Sequence, residues 1–266
     1  MKNLFYCCII LLIISSCKKD ILITDIDYSD YLSNNSITSE IIFYPAENYE
    51  NYNTIAIPEL NLHFMTTDTY WGGVLFYSKF IEKNELIIRF DSIQTTMTAS
   101  LEPRSATAYV SLPENINKIS LINGHFVDKY DVSISKEKVE IDSIVKNFTD
   151  VINDKIFRYP ENTFDFTCWT DSTDENLCID FLNVLKNEIS LVEYEFIGEG
   201  KIPFPYYTSN EPNHFTAILK YEDESDYEKA GELLRAYTLE RIPQNQGKGI
   251  SLWGWNNKNF HSYTFY

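Results

Sequence analysis

Residues 164–198, FDFTCWTDSTDENLCIDFLNVLKNEISLVEYEFIG, decide the reading of the C-terminal half of this 266-residue chain. FDFTCWT is rich in aromatic residues and threonine, the composition of a half-buried strand. Behind it, Leu177, Phe181, Leu182, Leu185 and Ile189 recur at intervals of three and four, which puts them on one face of a helix. SLVEYEFIG returns to strand character. The same succession comes again after a loop rich in proline and tyrosine: HFTAILKY as a strand, SDYEKAGELLRAYTL as a helix and GISLWGW as a strand.

The order strand–helix–strand, twice over, predicts a ferredoxin-like βαββαβ domain across residues 160–266. In that arrangement the strands at 164–169 and 213–221 are central neighbours, and helices near 173–188 and 225–238 cover one face of the sheet. Phe164, Phe166, Phe215, Ala217 and Leu219 are the expected inward residues. Ser172-x-x-Glu175 and Ser225-x-x-Glu228 both fit a capping box at the following helix, where serine accepts from an orphan N–H and glutamate reaches back.

Working towards the N-terminus, the pattern changes to short β-like runs: EIIFYP, TIAIP, LNLHF, GGVLFYSKF, ELIIRFDSI, TAYVSL, KISLING and VSISKEKVEID. Roughly seven to nine short strands without a long helix predict an antiparallel, immunoglobulin-like β-sandwich over residues 38–142. Asn123-Gly124 between two runs predicts a type I′ hairpin, because both residues tolerate positive φ. Residues 143–159 are expected to be a linker or a short helix, the candidate helix being Asp142 to Asn153, DSIVKNFTDVIN.

The chain opens MKNLFYCCIILLIISSCKKD. Lys2 supplies a positive start, residues 4–14 are nearly all apolar, and Ser15-Ser16 are small. Eleven apolar residues are too few to span a bilayer as a helix, so 1–16 has the anatomy of a secretory signal peptide. Ile14-Ser15-Ser16-Cys17 resembles the lipobox of bacterial lipoproteins, which most often carry leucine where Ile14 stands. Lys18-Lys19-Asp20 is similar to the charged tract behind the lipid cysteine in surface lipoproteins of Bacteroidota. The resemblance implies that Cys17 becomes the acylated first residue, that 17–37 is a tether, and that the protein sits in the cell envelope, on the outer membrane. Acyl chains bury methylenes at about 0.8 kcal/mol each. Cys7 and Cys8 fall in the removed segment.

Lys and Arg total 22 against 39 Asp and Glu, and the one basic pair is Lys18-Lys19. Nucleic acid is excluded as a partner on that ground, since phosphate binding needs clustered cations. The chain has no GxSxG, HExxH, GxxxxGK[ST] or GxGxxG, so no nucleophile elbow, zinc-protease helix, phosphate loop or dinucleotide fingerprint is present. No cofactor or metal is expected. His63, His125, His214 and His261 lack ligand spacing. The acidic groups Asp171, Asp174 and Glu175, and Glu222, Asp223, Glu224 and Asp226, precede helices, where the dipole and capping account for them. Cys168 and Cys178 are the cysteines left after Cys17, and a structural disulfide is the expected state in an oxidising envelope. Two buried thiols and a nucleophilic cysteine are the alternatives.

Aromatic residues make up 15% of the chain, and the tail SLWGWNNKNFHSYTFY concentrates them. Trp253 and Trp255 are two apart and would share one strand face, with Tyr263 on a returning strand; these three are the candidate ligand-binding residues. The competing reading packs that face against helices or sandwich. The expected function is therefore a non-catalytic, membrane-anchored envelope lipoprotein that presents a protein- or glycan-binding surface. A hydrolase of envelope or extracellular glycans with carboxylates far apart in sequence is one alternative, and an inhibitory or immunity lipoprotein is another.

Overall fold

The computed structural model describes residues 26–49, 54–95, 102–170, 174, 176–204, 214–242, 244 and 247–266. The chain divides into two units, Met1–Tyr31 and Leu32–Tyr266. In the first, residues Tyr28–Asp30 form a 3-10 turn capped by Asp27, whose carboxylate accepts from Ser29 N at 3.0 Å. Cys17 and the rest of the lipoprotein signal lie outside the described residues, as do Ser172 and Glu175. Among the described residues no helix is long and apolar enough to cross a membrane.

The second unit is mostly β. Ten strands form one curled mixed sheet: β1 (Ile41–Asn48), β2 (Glu59–Tyr70), β3 (Gly73–Glu82), β4 (Glu85–Thr95), β5 (Arg104–Ser111), β6 (Lys118–Asn123), β7 (Phe126–Ile134), β8 (Lys138–Val145), β9 (Thr149–Val151) and β10 (Lys155–Phe157). Their order is β10-β8-β7-β6-β4-β3-β5-β2-β1-β9. The expectation was a purely antiparallel sandwich. Instead one continuous sheet includes three parallel pairs, β1 with β9, β3 with β5 and β4 with β6.

Alternation explains the core. In β2, Leu60, Leu62 and Phe64 point inward while Asn61 and His63 point out, as a period of two requires. Ile41, Phe43, Leu75, Ile88, Phe90, Ala108, Val110, Leu121, Tyr130, Val132 and Ile141 join the same apolar cluster from the other strands. Each fully buried side chain of this size contributes about 1.5–3 kcal/mol.

Two expectations in this region are corrected. Residues 143–159 hold the end of β8 together with β9 and β10, and no helix. Ile141 N donates to Asp154 O and Ile41 N to Phe148 O, so neighbouring strands take the backbone groups that a helix would have paired internally. The hairpin at Asn123-Gly124 exists, but Asn123 is the last strand residue and pairs with Phe126. Only Gly124 has positive φ, at 63°, whereas a type I′ turn needs it at both central positions. Asn123 is needed elsewhere: its Oδ1 accepts from Ile37 N at 2.8 Å and its Nδ2 donates to Ile37 O at 2.9 Å.

The C-terminal part is a five-stranded antiparallel sheet with two helices. Its strands are β11 (Thr163–Trp169), β12 (Leu191–Glu193), β13 (His214–Tyr221), β14 (Gly249–Gly254) and β15 (Asn259–His261), in the order β12-β13-β11-β14-β15. The helices are α1 (Leu177–Glu188) and α2 (Glu224–Arg241). β11 pairs with β13, Phe166 opposite Ala217, and on its other side with β14. Phe164, Phe166, Leu219, Ile250 and Leu252 face the helices and bury against Leu177, Phe181, Leu185, Tyr227 and Leu234. Phe215 and Ala217 are half-buried against the same cluster. Gly231 lets α2 approach β15: an added Cβ there would lie 2.6 Å from Phe260 Cε1.

The cap of α2 falls two residues earlier than Ser225. Asp223 accepts from Ser225 N at 2.8 Å while Asp226 accepts from Asp223 N at 3.2 Å. A carboxylate makes the stronger, charge-assisted cap and outcompetes the serine hydroxyl.

Candidate functional site

The outward residues of β1, β2 and β5 build one wall of a cleft. Register places Tyr44 opposite His63 and His63 opposite Tyr109, so three rings stand in a row across three strands. Their centroids are 5.0 Å and 4.3 Å apart. Asn48 Nδ2 lies 2.5 Å from His63 Nε2. An amide NH₂ facing the ring nitrogen makes Nε2 the acceptor and leaves the imidazole proton on Nδ1. Burial pulls the His63 pKa down, and the charge of Lys201 adds to it, so the ring is neutral at pH 7. Asn61 and Glu59 continue this wall along β2.

The facing wall comes from Tyr49, Tyr159, Pro203, Trp253 and Asn257. Tyr49 is fixed by donation from its hydroxyl to Trp255 O at 2.6 Å, and Tyr159 by donation to Pro203 O at 2.8 Å. Burial raises both phenols, that of Tyr159 to about 12, so they remain neutral donors. Asn257 sits in a turn with φ of 63° and donates from Nδ2 to Thr54 O at 3.0 Å. Between the walls is a space of about 610 Å³.

Glu47 stands at the inner end of the cleft, and both of its oxygens are occupied. Oε1 accepts from Arg158 Nε and Oε2 from Tyr159 N, each at 2.7 Å. Burial raises its pKa while these donors oppose the rise. The bond from the Tyr159 backbone N–H to Oε2 anchors that residue in the wall. The Glu59 side chain, by contrast, is exposed and has no partner among the described residues.

Of the three aromatic candidates, only Trp253 lines this cleft. β14 ends at Gly254, and the chain turns there, so Trp255 does not share the face of Trp253. It packs on the apolar core under the helices, and its Nε1 donates to Tyr221 Oη at 3.0 Å. Tyr263 is exposed and stacks on His261 at 4.9 Å, and His261 in turn packs against Trp253 in a T-shaped contact at 4.6 Å. Cys168 and Cys178 form a disulfide with Cα atoms 5.7 Å apart, buried beneath α1 and away from the cleft. Among the described residues no group of three or more His, Cys, Asp or Glu side chains could hold a metal ion.

Sequence reasoning did not single out Glu47, Tyr49, Glu59, Tyr109 or Tyr159, and it set His63 aside. A signal was there: Glu59, Asn61 and His63 alternate with Leu60, Leu62 and Phe64, marking a polar strand face. The partner wall could not be found in that way, because apart from Tyr49 it is assembled from residues about a hundred to two hundred positions downstream.

A second hollow, of about 570 Å³, lies on the open face of the five-stranded sheet between Asp165 and residues 193–196. Asp165 is almost fully buried, and its one hydrogen-bond partner among the described residues is the Thr167 hydroxyl at 3.0 Å. Burial raises its carboxyl to about 7. Comparison with known proteins adds no assignment, for no family model, curated protein or solved structure matches the chain.

Proposed function

We propose that this protein is a lipoprotein of the bacterial cell envelope, held on the outer membrane through acylated Cys17, that binds a glycan in the cleft between its two sheets. The observation that carries the reading is the composition of the cleft walls. Tyr109, Tyr159 and Trp253 offer ring faces, and Asn48, Asn61 and Asn257 offer amides beside them. Sugar rings present C–H faces to aromatic planes and hydroxyls to amides and carboxylates, so they need this mixture. The volume lies in the range of small-ligand sites, and a junction between two sheets is a usual place for one.

The carboxylates favour binding over hydrolysis. Glycoside hydrolysis takes two carboxyl groups free to act on one bond. Glu47 is saturated by Arg158 and Tyr159, which leaves Glu59 as the one free carboxylate among the described residues of the cleft. The strand order and directions of the C-terminal sheet, with both helices on one face, support reading it as a ferredoxin-like unit. The ten-stranded sheet around its own core supports a relative of the sandwich class.

A glycan array probed with the mature, delipidated protein tests the function. Binding of one glycan class, quenching of tryptophan fluorescence on titration and loss of both in Trp253→Ala are expected. Failure to bind any glycan at millimolar concentration overturns the reading. For the anchor, intact-mass measurement of the protein purified from membranes should show acyl mass on Cys17, and an unmodified Cys17 would remove that part.

A further inference from the structure

We propose that the cleft selects saccharides that carry no acidic group, and that Glu59 is the residue that turns uronates, sialylated sugars and sulfated sugars away. The inference rests on the glycan reading and names the ligand class of that same site.

The walls of the cleft carry few charges. Asn48, Asn61, Asn257, Pro203, Trp253 and the tyrosines are neutral. Of the remaining three, Glu47 is compensated by the Arg158 guanidinium and by Tyr159 N. His63 is kept towards its neutral form by its half-buried setting beside Tyr44 and Tyr109 and by the charge of Lys201. Glu59 is then the one uncompensated charge among the described lining residues, and it is negative.

Three cations lie near enough to be weighed, and of these Lys79 is held on Ser111 O at 2.9 Å, across the ladder from Asn61, with no ion pair to Glu59 among the described residues. Arg158 is spent on Glu47, Glu114 and the carbonyl of Ser135. Lys201 sits over the ring of Tyr44 at 5.5 Å, towards His63. His63 and Glu59 are four residues apart on one strand, about 13 Å at the strand rise. That exceeds the Debye length of about 8 Å at physiological salt, so Lys201 does not cancel Glu59. An entering carboxylate or sulfate would meet Glu59 without a cation to pair with. A neutral sugar instead offers hydroxyls that donate to it, and charge-assisted hydrogen bonds are the stronger ones.

The test uses an array on which each neutral glycan is printed beside its uronate, sialylated or sulfated counterpart. Dissociation constants are then measured for the best pair with wild type and Glu59→Gln. Wild type should prefer the neutral member by at least about tenfold, equivalent to ~1.4 kcal/mol. The preference should shrink as salt is raised, because Glu59 is exposed. In Glu59→Gln it should fall to about threefold or less, with an unchanged urea midpoint. Equal or tighter binding of the acidic member by wild type overturns the inference and leaves glycan binding standing, and so does unchanged selectivity in Glu59→Gln. Binding of no glycan by wild type overturns both.

Discussion

Asp165 on β11 and Trp253 on β14 stand directly opposite each other in the antiparallel ladder, on the sheet face that the helices leave open. One is a buried carboxyl with a pKa near 7, and the other has an indole Nε1 that is buried without a partner among the described residues. Cross-strand neighbours have Cβ atoms about 4.5–5.5 Å apart, so the two side chains adjoin, although Asp165 lines the second hollow and Trp253 the cleft.

That placement sets a pH dependence of stability. The folded carboxyl is raised to about 7 by burial, while an unfolded aspartate titrates near 3.9. Between those values the folded chain binds more protons, so stability is greatest below about pH 4 from this group and falls as pH rises towards 7. The full effect is up to about 4 kcal/mol for three units. Asp165→Asn keeps an acceptor for Thr167 and no longer ionises. Urea unfolding at pH 5 and pH 8 should show a smaller difference in the variant than in wild type, with the variant the more stable at pH 8. An equal pH difference in both proteins would show that Asp165 ionises freely.

His63 has the opposite sign. Burial lowers its pKa, so the unfolded state takes up a proton first as pH falls below about 6.5, and stability from this group is lost on acidification. Protonation would also set a second donor against the Asn48 amide. NMR titration of the ring should give a pKa below that of a free histidine, with the neutral form protonated on Nδ1. An Nε2–H tautomer would mean that the Asn48 amide presents its oxygen, reversing the polarity of that part of the wall.

Asp128 offers a test of the first sheet. Its fully buried carboxylate accepts from Asn147 N at 2.7 Å, Asn147 Nδ2 at 2.8 Å, Phe148 N at 3.0 Å, Thr149 N at 2.8 Å and Thr149 Oγ1 at 2.6 Å. It ties the start of β9 to β7. Asp128→Ala strands several buried donors at a cost of about 1–3 kcal/mol each, so a loss of at least about 3 kcal/mol is expected in urea unfolding. A loss below about 1 kcal/mol would mean that water replaces the carboxylate.

Where sequence and structure agree, the reason is local. The apolar spacing of α1 and the strand content on either side of it are set by residues a few positions apart, and all five of its marked residues are buried. Where they differ, partners distant in sequence intervened. Residues 143–159 contain Ile144 and Val145, which suit a helix face, yet β1 was available to pair with Thr149–Val151 and β8 with Lys155–Phe157. Asn123 carries the strongest hairpin signal, but Ile37, 86 positions away, claims its side chain. The cleft is not legible locally for the same reason, since Glu47 and Arg158 are 111 positions apart.

The two tryptophans of the tail separate binding from stability, because their surroundings differ although they lie two positions apart. Trp255 packs on the core beneath α1 and α2 and donates its indole N–H to Tyr221, whose ring stacks on Tyr227 at 5.4 Å. Trp255 is itself half-buried, but Trp255→Ala removes apolar area packed on the core and also the donor to the Tyr221 hydroxyl, at about 2–3 kcal/mol together. Trp253 is half-buried on the opposite face, against His261 and the cleft, and its N–H has no bond to lose among the described residues. Trp253→Ala should cost less stability, about 1–2 kcal/mol from lost apolar area. It should weaken glycan binding tenfold or more, a ring contact being worth ~1.4 kcal/mol at that ratio. Urea unfolding and calorimetric titration with the best glycan, run on both variants, separate the two effects. If Trp255→Ala abolishes binding at full stability, or Trp253→Ala binds like wild type, the indole that forms the wall has been wrongly identified.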